Sequence, residues 1–257
     1  MISVELGEAV VADVIEGLSI PSIPRWSLSE GKVTLGLFYS YAEWESHRLD
    51  SIGSIDPTEI TQTDEVLFHP RDRLLWGVRL GDSNYSIPFD TLPTAWDKEK
   101  TTHGLLRLCS AARFLLDSRR VYWIAPDGEL FTSLYETALT AKSENILRLR
   151  LASDFDLLFA GGRLCGWMLA HPARYLSDPW EKPDLSVNAT DDKLPALLYD
   201  CIHLVDAPRV KRMDDRDLDT LQEMKSLSVR IDPFDNAIGP RLVLRRYMEE
   251  LIDKYYF

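Results

Sequence analysis

Apolar and polar residues repeat along the chain in patterns that predict helices at its start, middle and end. At the start, apolar residues recur every four positions with acidic residues between them, at Leu6, Val10, Val14 and Leu18. A stripe with this spacing is typical of an amphipathic helix, so the sequence predicts a helix over residues 2–18.

Three further segments show stripes of the same kind. A central helix is predicted over residues 100–117, where a threonine supplies a cap, and another over residues 194–205. From residue 245 onward, polar and apolar pairs alternate with a period near 3.6 residues. Gly239-Pro240 suits the start of this C-terminal helix. The face that it is predicted to bury consists of Tyr247, Met248, Leu251, Ile252 and Tyr255.

Between the predicted helices, alternation and turn residues predict strands. Residues 32–41 and 146–151 alternate apolar and polar side chains, as a strand with one solvent-facing side does. Three hairpins are predicted at about 73–89, 121–134 and 155–170. In each, strand-like runs flank residues that favour tight turns, namely glycine, aspartate and proline.

Together these elements predict an α+β fold. The sheet is expected to be antiparallel or mixed, built from the hairpins and packed by N-terminal, central and C-terminal helices. With 257 residues, of which 45% are apolar and 27% charged, the chain is expected to form a single domain over residues 1–257. The polar, proline-containing stretch 171–193 is a candidate long loop or boundary within it.

The acidic charge of the chain is concentrated at one end. Residues 1–70 contain twelve acidic and three basic side chains, which gives a net charge of −9 out of −12 for the whole chain. A region of one sign attracts a partner of the other sign. A partner-binding stretch is therefore predicted within the acidic segment 42–65, which is expected to be a loop or a solvent-exposed helix. Its predicted contact residues are Glu43, Trp44, Glu45, Asp50, Asp56, Glu59, Asp64 and Glu65.

Several classes of function lack their sequence signals. A pI near 4.9 disfavours nucleic acid as the main partner, because phosphate binding depends on clustered lysine and arginine. No histidines have the spacing of a zinc hydrolase and no glycine motif has the ending of a phosphate loop, so neither a metal nor a cofactor is expected. The apolar runs are too short to span a bilayer and residues 1–20 lack a basic leader. No membrane association and a cytoplasmic location are therefore expected.

Two functions of different class fit these observations. The first is a non-catalytic acidic binding protein that docks on a basic protein partner, most concretely an immunity-type inhibitor of a toxin. The second is a hydrolase or transferase whose site is assembled from residues remote in sequence. For the second, Cys165 with His171 is the candidate nucleophile pair, and Asp154 with Asp156 is the candidate acid–base pair. The absence of local catalytic motifs favours the first function.

Overall fold

The computed structural model describes residues 2–7, 10–54, 64–82, 85–87, 96, 99–116, 119–140, 145–188, 191–232 and 238–257. The strands, in chain order, are β1 (Ser3–Gly7), β2 (Val10–Glu16), β3 (Arg25–Ser27), β4 (Lys32–Gly36), β5 (Ile52–Ser54), β6 (Glu65–Phe68), β7 (Leu75–Gly81), β8 (Thr101–Leu108), β9 (Arg113–Phe114), β10 (Arg120–Ile124), β11 (Leu130–Tyr135), β12 (Leu147–Ala152), β13 (Phe155–Ala160) and β14 (Arg163–Ala170). The α-helices are α1 (Tyr41–Leu49), α2 (Leu185–Asn188), α3 (Leu194–Leu204), α4 (Ala207–Asp214), α5 (Leu218–Ile231) and α6 (Pro240–Tyr256). In the described ranges, 3-10 helices span Glu136–Thr140 and Pro172–Tyr175. Within these ranges, no helix combines the length and the apolar character that crossing a membrane requires.

The larger sheet closes on itself. Its strand order is β1-β2-β8-β12-β13-β14-β11-β10, with parallel pairing between β8 and β12. The first strand also pairs in parallel with β14, where Glu5 lies opposite Arg163, so six strands form a ring. Farther along, β14 pairs with β11 over residues 166–170, and β10 follows β11 at the edge. The edge strand β10 carries Arg120 to the second sheet, where it contacts Asp64.

The second sheet has two ends with different surroundings. Its order is β3-β4-β7-β6-β5-β9, with β5 and β9 parallel. In the pairing of β4 with β7, Lys32 lies opposite Gly81 at one end, and Gly36 lies opposite Gly77 at the other. The Gly81 end meets β10, while the Gly36 end leads through Ser40 into α1.

A large buried cluster joins both sheets and the helices. Trp26 on β3 packs against Phe131 on β11 with 4.6 Å between ring centroids. The helices α3, α5 and α6 contribute Cys201, Met224 and Met248, each 0% exposed. Burial of side chains from all these elements in one cluster stabilises the sheets and the helices together.

The predicted α+β class is confirmed, and so is a mixed sheet. The hairpins predicted at 121–134 and 155–170 are β10–β11 and β13–β14. The strand predicted at 146–151 is β12, and the helix predicted at 194–205 is α3. The C-terminal helix begins at Pro240 after an N-cap at Gly239, and its predicted face packs on the core.

The predicted N-terminal helix over residues 2–18 is wrong, because the structure forms the antiparallel strands β1 and β2 there. A spacing of four residues keeps apolar side chains on one side of a helix, but it does the same in a strand, where the period is two. The burial pattern shows that the strand period applies, since Val10, Ala12 and Val14 are 8%, 0% and 5% exposed, whereas Val11, between Val10 and Ala12, is 42% exposed. The run is also rich in valine, which favours strands.

The predicted central helix over residues 100–117 is also wrong. The structure places β8 and the short strand β9 there. In the larger sheet, β8 lies between β2 and β12, and both of its faces are covered. Leu105 and Leu106, which are consecutive and point to opposite faces, are therefore 7% and 0% exposed. A strand buried on both faces loses its alternation, and its apolar run then resembles a helical stripe.

Three boundaries in the first half of the chain differ from their predictions. The strand predicted at 32–41 ends at Gly36, and the segment 42–65 contains α1 and β5 in its described part. The predicted hairpin at 73–89 is not formed by the described residues, because β7 pairs with β4 and β6 on its two edges. Ser86 instead forms a parallel bridge with Tyr122.

The stretch 171–193 contains local structure. It includes the second 3-10 helix and α2, and it buries Ala173, Tyr175 and Leu176 in the same cluster as both sheets. The proposal of a loop or boundary here, and that of a single domain over the whole chain, stay predictions.

Candidate functional site

Helix α1 begins with two reciprocal hydrogen bonds that its sequence encodes. The hydroxyl of Ser40 accepts from the backbone N–H of Glu43 at 3.2 Å, and the side chain of Glu43 accepts from the backbone N–H of Tyr39 at 2.6 Å. These bonds resemble a capping box, for which the signal is Ser-x-x-Glu, except that Glu43 accepts from Tyr39, the residue before the N-cap Ser40. That signal is present in the printed sequence, and the sequence prediction did not use it.

Aromatic rings hold the inner side of α1. Trp44 is 2% exposed, and its ring centroid lies 4.6 Å from Phe38 and 6.4 Å from Trp180. Nearby, the indole N–H of Trp76 donates to the hydroxyl of Ser51 at 2.9 Å. These packed rings hold the buried side of α1 in place, so the position of its exposed side is also fixed.

The outer surface of α1, with the residue Leu37 before it, exposes both apolar and acidic side chains. Leu37, Tyr41 and Leu49 are 54%, 54% and 72% exposed. Glu43 and Asp50 are exposed on the helix and at its C-cap. Large exposed apolar groups near charged ones are typical of protein-binding surfaces. These five residues are called the α1 face.

The eight predicted contact residues do not share one surface. Glu43 and Asp50 are exposed and belong to the α1 face. Trp44 points inward, and Glu45 forms an ion pair with Arg48 of the same helix at 2.8 Å. A buried ring supports a surface without touching a partner, so Trp44 has a supporting position in the structure.

The last two predicted contact residues are buried. Asp64 and Glu65 are 0% and 5% exposed at the start of β6, a strand enclosed between β5 and β7. A partner cannot reach carboxylates in this position in the folded protein, which corrects their assignment as contact residues. Asp56 and Glu59 lie outside the described residues.

Asp64 is the centre of a polar network at the Gly81 end of the second sheet. It accepts hydrogen bonds from the guanidinium of Arg120, from the backbone N–H of Gly81 at 2.7 Å and from the hydroxyl of Tyr135 at 2.6 Å. Burial raises the pKa of Asp64, while Arg120 and the other donors oppose that shift. The network compensates a buried charge, so its role in this arrangement is structural.

Other N-terminal acids find their partners in the later part of the chain. Glu5 pairs with Arg163 at 3.1 Å, and Glu30 pairs with Arg79 at 3.1 Å. Arg120 pairs with Asp64 in the same way. In all three pairs, an arginine from beyond residue 70 neutralises an acid from the first 70 residues. The excess of acid counted along the first 70 residues is therefore partly cancelled in space.

A cavity of about 650 Å³ opens near this network. Its lining comes from the turn between β3 and β4, the end of β7, the start of β10 and the helices α4 and α6. Asp82, directly after β7, lines the cavity and accepts the indole N–H of Trp26 at 3.2 Å. Burial raises the pKa of Asp82 to about 6, although Trp26 and Arg120 oppose the shift. No sequence signal distinguished Asp82, which was predicted only as a turn residue.

The structure does not assemble the predicted nucleophile pair. Cys165 is 4% exposed, its thiol donates to the carbonyl of Arg163 at 3.4 Å, and burial raises the pKa of the thiol. His171 lies beyond the far end of β14, where its Nδ1 is 2.6 Å from Oε2 of Glu129. At about 3.3 Å per residue, roughly 17 Å separate Cys165 from the end of its strand. The two side chains therefore cannot act on one another.

The two carboxylates of the predicted acid–base pair bind different partners. Asp154 precedes β13 and accepts from the hydroxyl of Tyr175 at 2.7 Å. Asp156 is 1% exposed and accepts from Arg148 and Arg150, each at 2.7 Å. Both arginines thus occupy the carboxylate of Asp156, which is engaged in ion pairs within the protein. Over the part of the chain that the structure describes, no three His, Cys, Asp or Glu side chains are grouped as metal ligands.

Comparison with known proteins does not assign a family. No protein-family model matches the sequence, and neither a curated protein nor a solved structure shows significant similarity to it.

Proposed function

We propose that this chain is a non-catalytic binding protein that docks on a basic protein partner through the α1 face. The observation that carries the proposal is that Leu37, Tyr41 and Leu49 are exposed in the same short segment as the exposed carboxylates of Glu43 and Asp50. Protein interfaces combine apolar and aromatic anchors with a polar rim. Acids in that rim complement a partner with lysine and arginine at its surface.

The position of Asp50 supports a role outside the fold. Asp50 is the C-cap of α1, where the negative end of the helix dipole disfavours an acidic side chain. Among the described residues, its carboxylate forms no ion pair. An acid that does not stabilise its own helix remains available for a basic group of a partner.

Aromatic rings beside α1 already hold cations of the chain itself. The Nζ atom of Lys182 lies 4.2 Å from the ring centroid of Tyr39, and the guanidinium carbon of Arg25 lies 4.8 Å from it. Such contacts are attractive because the face of an aromatic ring is electron-rich. Tyr41, more exposed than Tyr39, presents the same kind of ring to lysine or arginine of a partner.

In its most specific form, the partner is a toxin and this chain is its immunity-type inhibitor. An inhibitor acts by covering its target and needs no catalytic group. Acidic side chains on the covering face would steer a basic toxin and speed its capture. The alternative, a hydrolase or transferase, is not retained because Cys165 and His171 lie apart and Asp156 is buried and bound by two arginines.

The test measures partner binding by variants that leave α1 folded. Glu43→Gln with Asp50→Asn removes two charges and keeps a carbonyl oxygen that can cap the helix, and Tyr41→Ala removes the exposed ring. Partners captured from the source cells by tagged wild-type protein are purified, and their affinities are measured by calorimetry. Each variant is expected to bind about tenfold or more weakly. The charge variant should also lose salt dependence between about 50 and 500 mM.

Asp214→Asn with Asp215→Asn is the matched control, since it removes two exposed acids elsewhere on the chain. It is expected to bind the partner as the wild type does. Equal affinities of the control and the α1 variants, or a captured partner without a basic surface, would overturn the proposal.

A further inference from the structure

The cavity beside Asp82 has the size and the lining of a ligand site. Its volume of about 650 Å³ lies within the range usual for small-molecule pockets, roughly 300–1,000 Å³. It lies where both sheets meet α6, and such junctions between elements commonly form pockets. Tyr85, Tyr247 and Tyr255 supply aromatic surface to its walls.

The carboxylate of Asp82 is held in place within the cavity. Its side chain accepts from the indole of Trp26 at 3.2 Å, and its backbone N–H donates to the carbonyl of Gly31 at 2.9 Å. Gly31 has a φ of +59°, and a Cβ there would lie only 2.8 Å from Oδ1 of Asp82. Glycine at this turn therefore admits the carboxylate, which is fixed before any ligand arrives.

Both arginines that line the cavity are already engaged by other acids. Arg120 is bound to the buried Asp64, and Arg119 lies 3.9 Å from Glu136. Burial opposes the charged form of Asp82, which a further positive group would stabilise. The site thus offers a fixed negative charge for an incoming cation.

The sign of the lining also favours a cation. The lining contains four carboxylates, those of Glu30, Asp82, Glu136 and Glu250. It contains three cations, those of Arg119, Arg120 and Lys254. The Nζ atom of Lys254 lies 4.8 Å from the ring centroid of Tyr255, so the protein already places a cation on this aromatic wall. An anion would enter against the excess of negative charge.

We propose that this cavity binds an organic cation, an alkyl-guanidinium or alkyl-ammonium group, whose charge pairs with Asp82 and whose chain lies against Tyr85 and Tyr255. The cation belongs either to a free small molecule or to an arginine or lysine side chain of a protein, which present the same chemistry. The proposal does not depend on the α1 face. The two sites lie at opposite ends of the second sheet, so their variants are independent.

Calorimetry with two probes, agmatine and the peptide acetyl-Gly-Arg-Gly-amide, tests this proposal. The wild type is expected to bind at least one of them. Asp82→Asn, which keeps an acceptor for Trp26, should weaken binding about tenfold or more because a charged partner is lost. Lys254→Gln should strengthen it about threefold, since a like charge is removed. Asp214→Asn, an exposed acid elsewhere, should leave the affinity unchanged.

The two probes identify the source of the cation. Binding of agmatine alone points to a free small molecule, and binding of the peptide with equal or higher affinity points to a side chain of a protein. The proposal is overturned if neither probe binds, or if Asp82→Asn with an unchanged circular dichroism spectrum binds as the wild type does. Binding of inorganic phosphate that Lys254→Gln weakens would identify an anion site and would also overturn it.

Discussion

The two ends of the second sheet place acidic residues in opposite environments. At the Gly81 end, Asp64 is 0% exposed and is bound by Arg120 and Tyr135. At the α1 end, Asp50 remains exposed near apolar side chains that solvent also reaches. The first arrangement compensates a charge within the protein, and the second leaves a charge available to another molecule.

This difference shows that the net charge counted along a stretch of sequence does not give the charge on the protein surface. Both acids belong to the same acidic N-terminal region, yet only Asp50 is exposed to solvent. A charge is tolerated inside a protein only when hydrogen bonds and an opposite charge accompany it. The arginine that accompanies Asp64 lies on β10, far along the chain, so a count over residues 1–70 does not include it.

Removing the buried acid Asp64 is expected to have the largest effect on the unfolding free energy. Asp64→Ala leaves the guanidinium of Arg120 without its buried carboxylate, and breaking such a pair costs about 3–5 kcal/mol of unfolding free energy. Asp50→Ala should change the unfolding free energy by no more than about 0.5 kcal/mol, because the side chain is exposed. Urea unfolding at neutral pH measures both. Similar losses in the two variants would contradict the distinction between the ends.

The next largest effect is expected from the helix that covers the Gly81 end. Met248 on α6 is 0% exposed, so Met248→Ala should lower the unfolding free energy by about 2–5 kcal/mol. The control Glu249→Ala removes an exposed ion pair with Arg245 and should cost less than about 1 kcal/mol. Thermal unfolding with sedimentation tests the pair. If Met248→Ala instead left stability unchanged and altered association, the helix face would be an interface.

The sequence predicted the fold best where one structural period alone fits the pattern. The paired pattern of α6 repeats only as a helix does, and the alternation of β12 repeats only as a strand does. A spacing of four fits both periods, which is why β1 and β2 were taken for a helix. The strand β8 was also taken for a helix, because its burial on both faces comes from neighbouring strands and layers that no local sequence pattern reveals.

The candidate sites were predictable to different degrees. The exposed part of α1 could be found, since Ser40 and Glu43 have capping-box spacing and Glu43 and Asp50 lie in an acidic stretch. The cavity beside Asp82 could not be found, because its walls come from a turn, two strands and two helices that lie far apart in sequence. Only the closed tertiary structure brings Asp82 near Arg120 and α6.

A smaller effect on stability is expected from Asp82, which lies near Asp64 but, among the described residues, lacks a paired arginine of its own. The folded protein raises the pKa of Asp82 to about 6 from 3.8, so between these values the folded state binds its proton more tightly than the unfolded state. Stability from this group is therefore greatest below about pH 4 and falls as the pH rises through about 6. Asp82→Asn carries no such charge and should be more stable than the wild type by about 1–3 kcal/mol at pH 8.

The difference between Asp82→Asn and the wild type should shrink as the pH falls toward about 4.5, where the wild-type carboxyl is protonated in the folded state. Chemical unfolding at several pH values measures this trend. Asp214→Asn, an exposed acid, should show no such pH-dependent gain. A lower stability of Asp82→Asn at pH 8 would mean that the ionised carboxylate stabilises the Gly81 end.

The smallest effect on stability is expected on the α1 face. Leu49 is 72% exposed near the end of α1, so Leu49→Ala removes little buried surface and keeps good helix propensity. The unfolding free energy should change by less than about 0.5 kcal/mol. In contrast, Trp44→Ala on the inner side of the same helix should cost about 3–5 kcal/mol. A loss above about 1 kcal/mol for Leu49→Ala would show that Leu49 packs within the monomer. The apolar part of the α1 face would then belong to the core, and the two ends of the second sheet would differ only in where their acids lie.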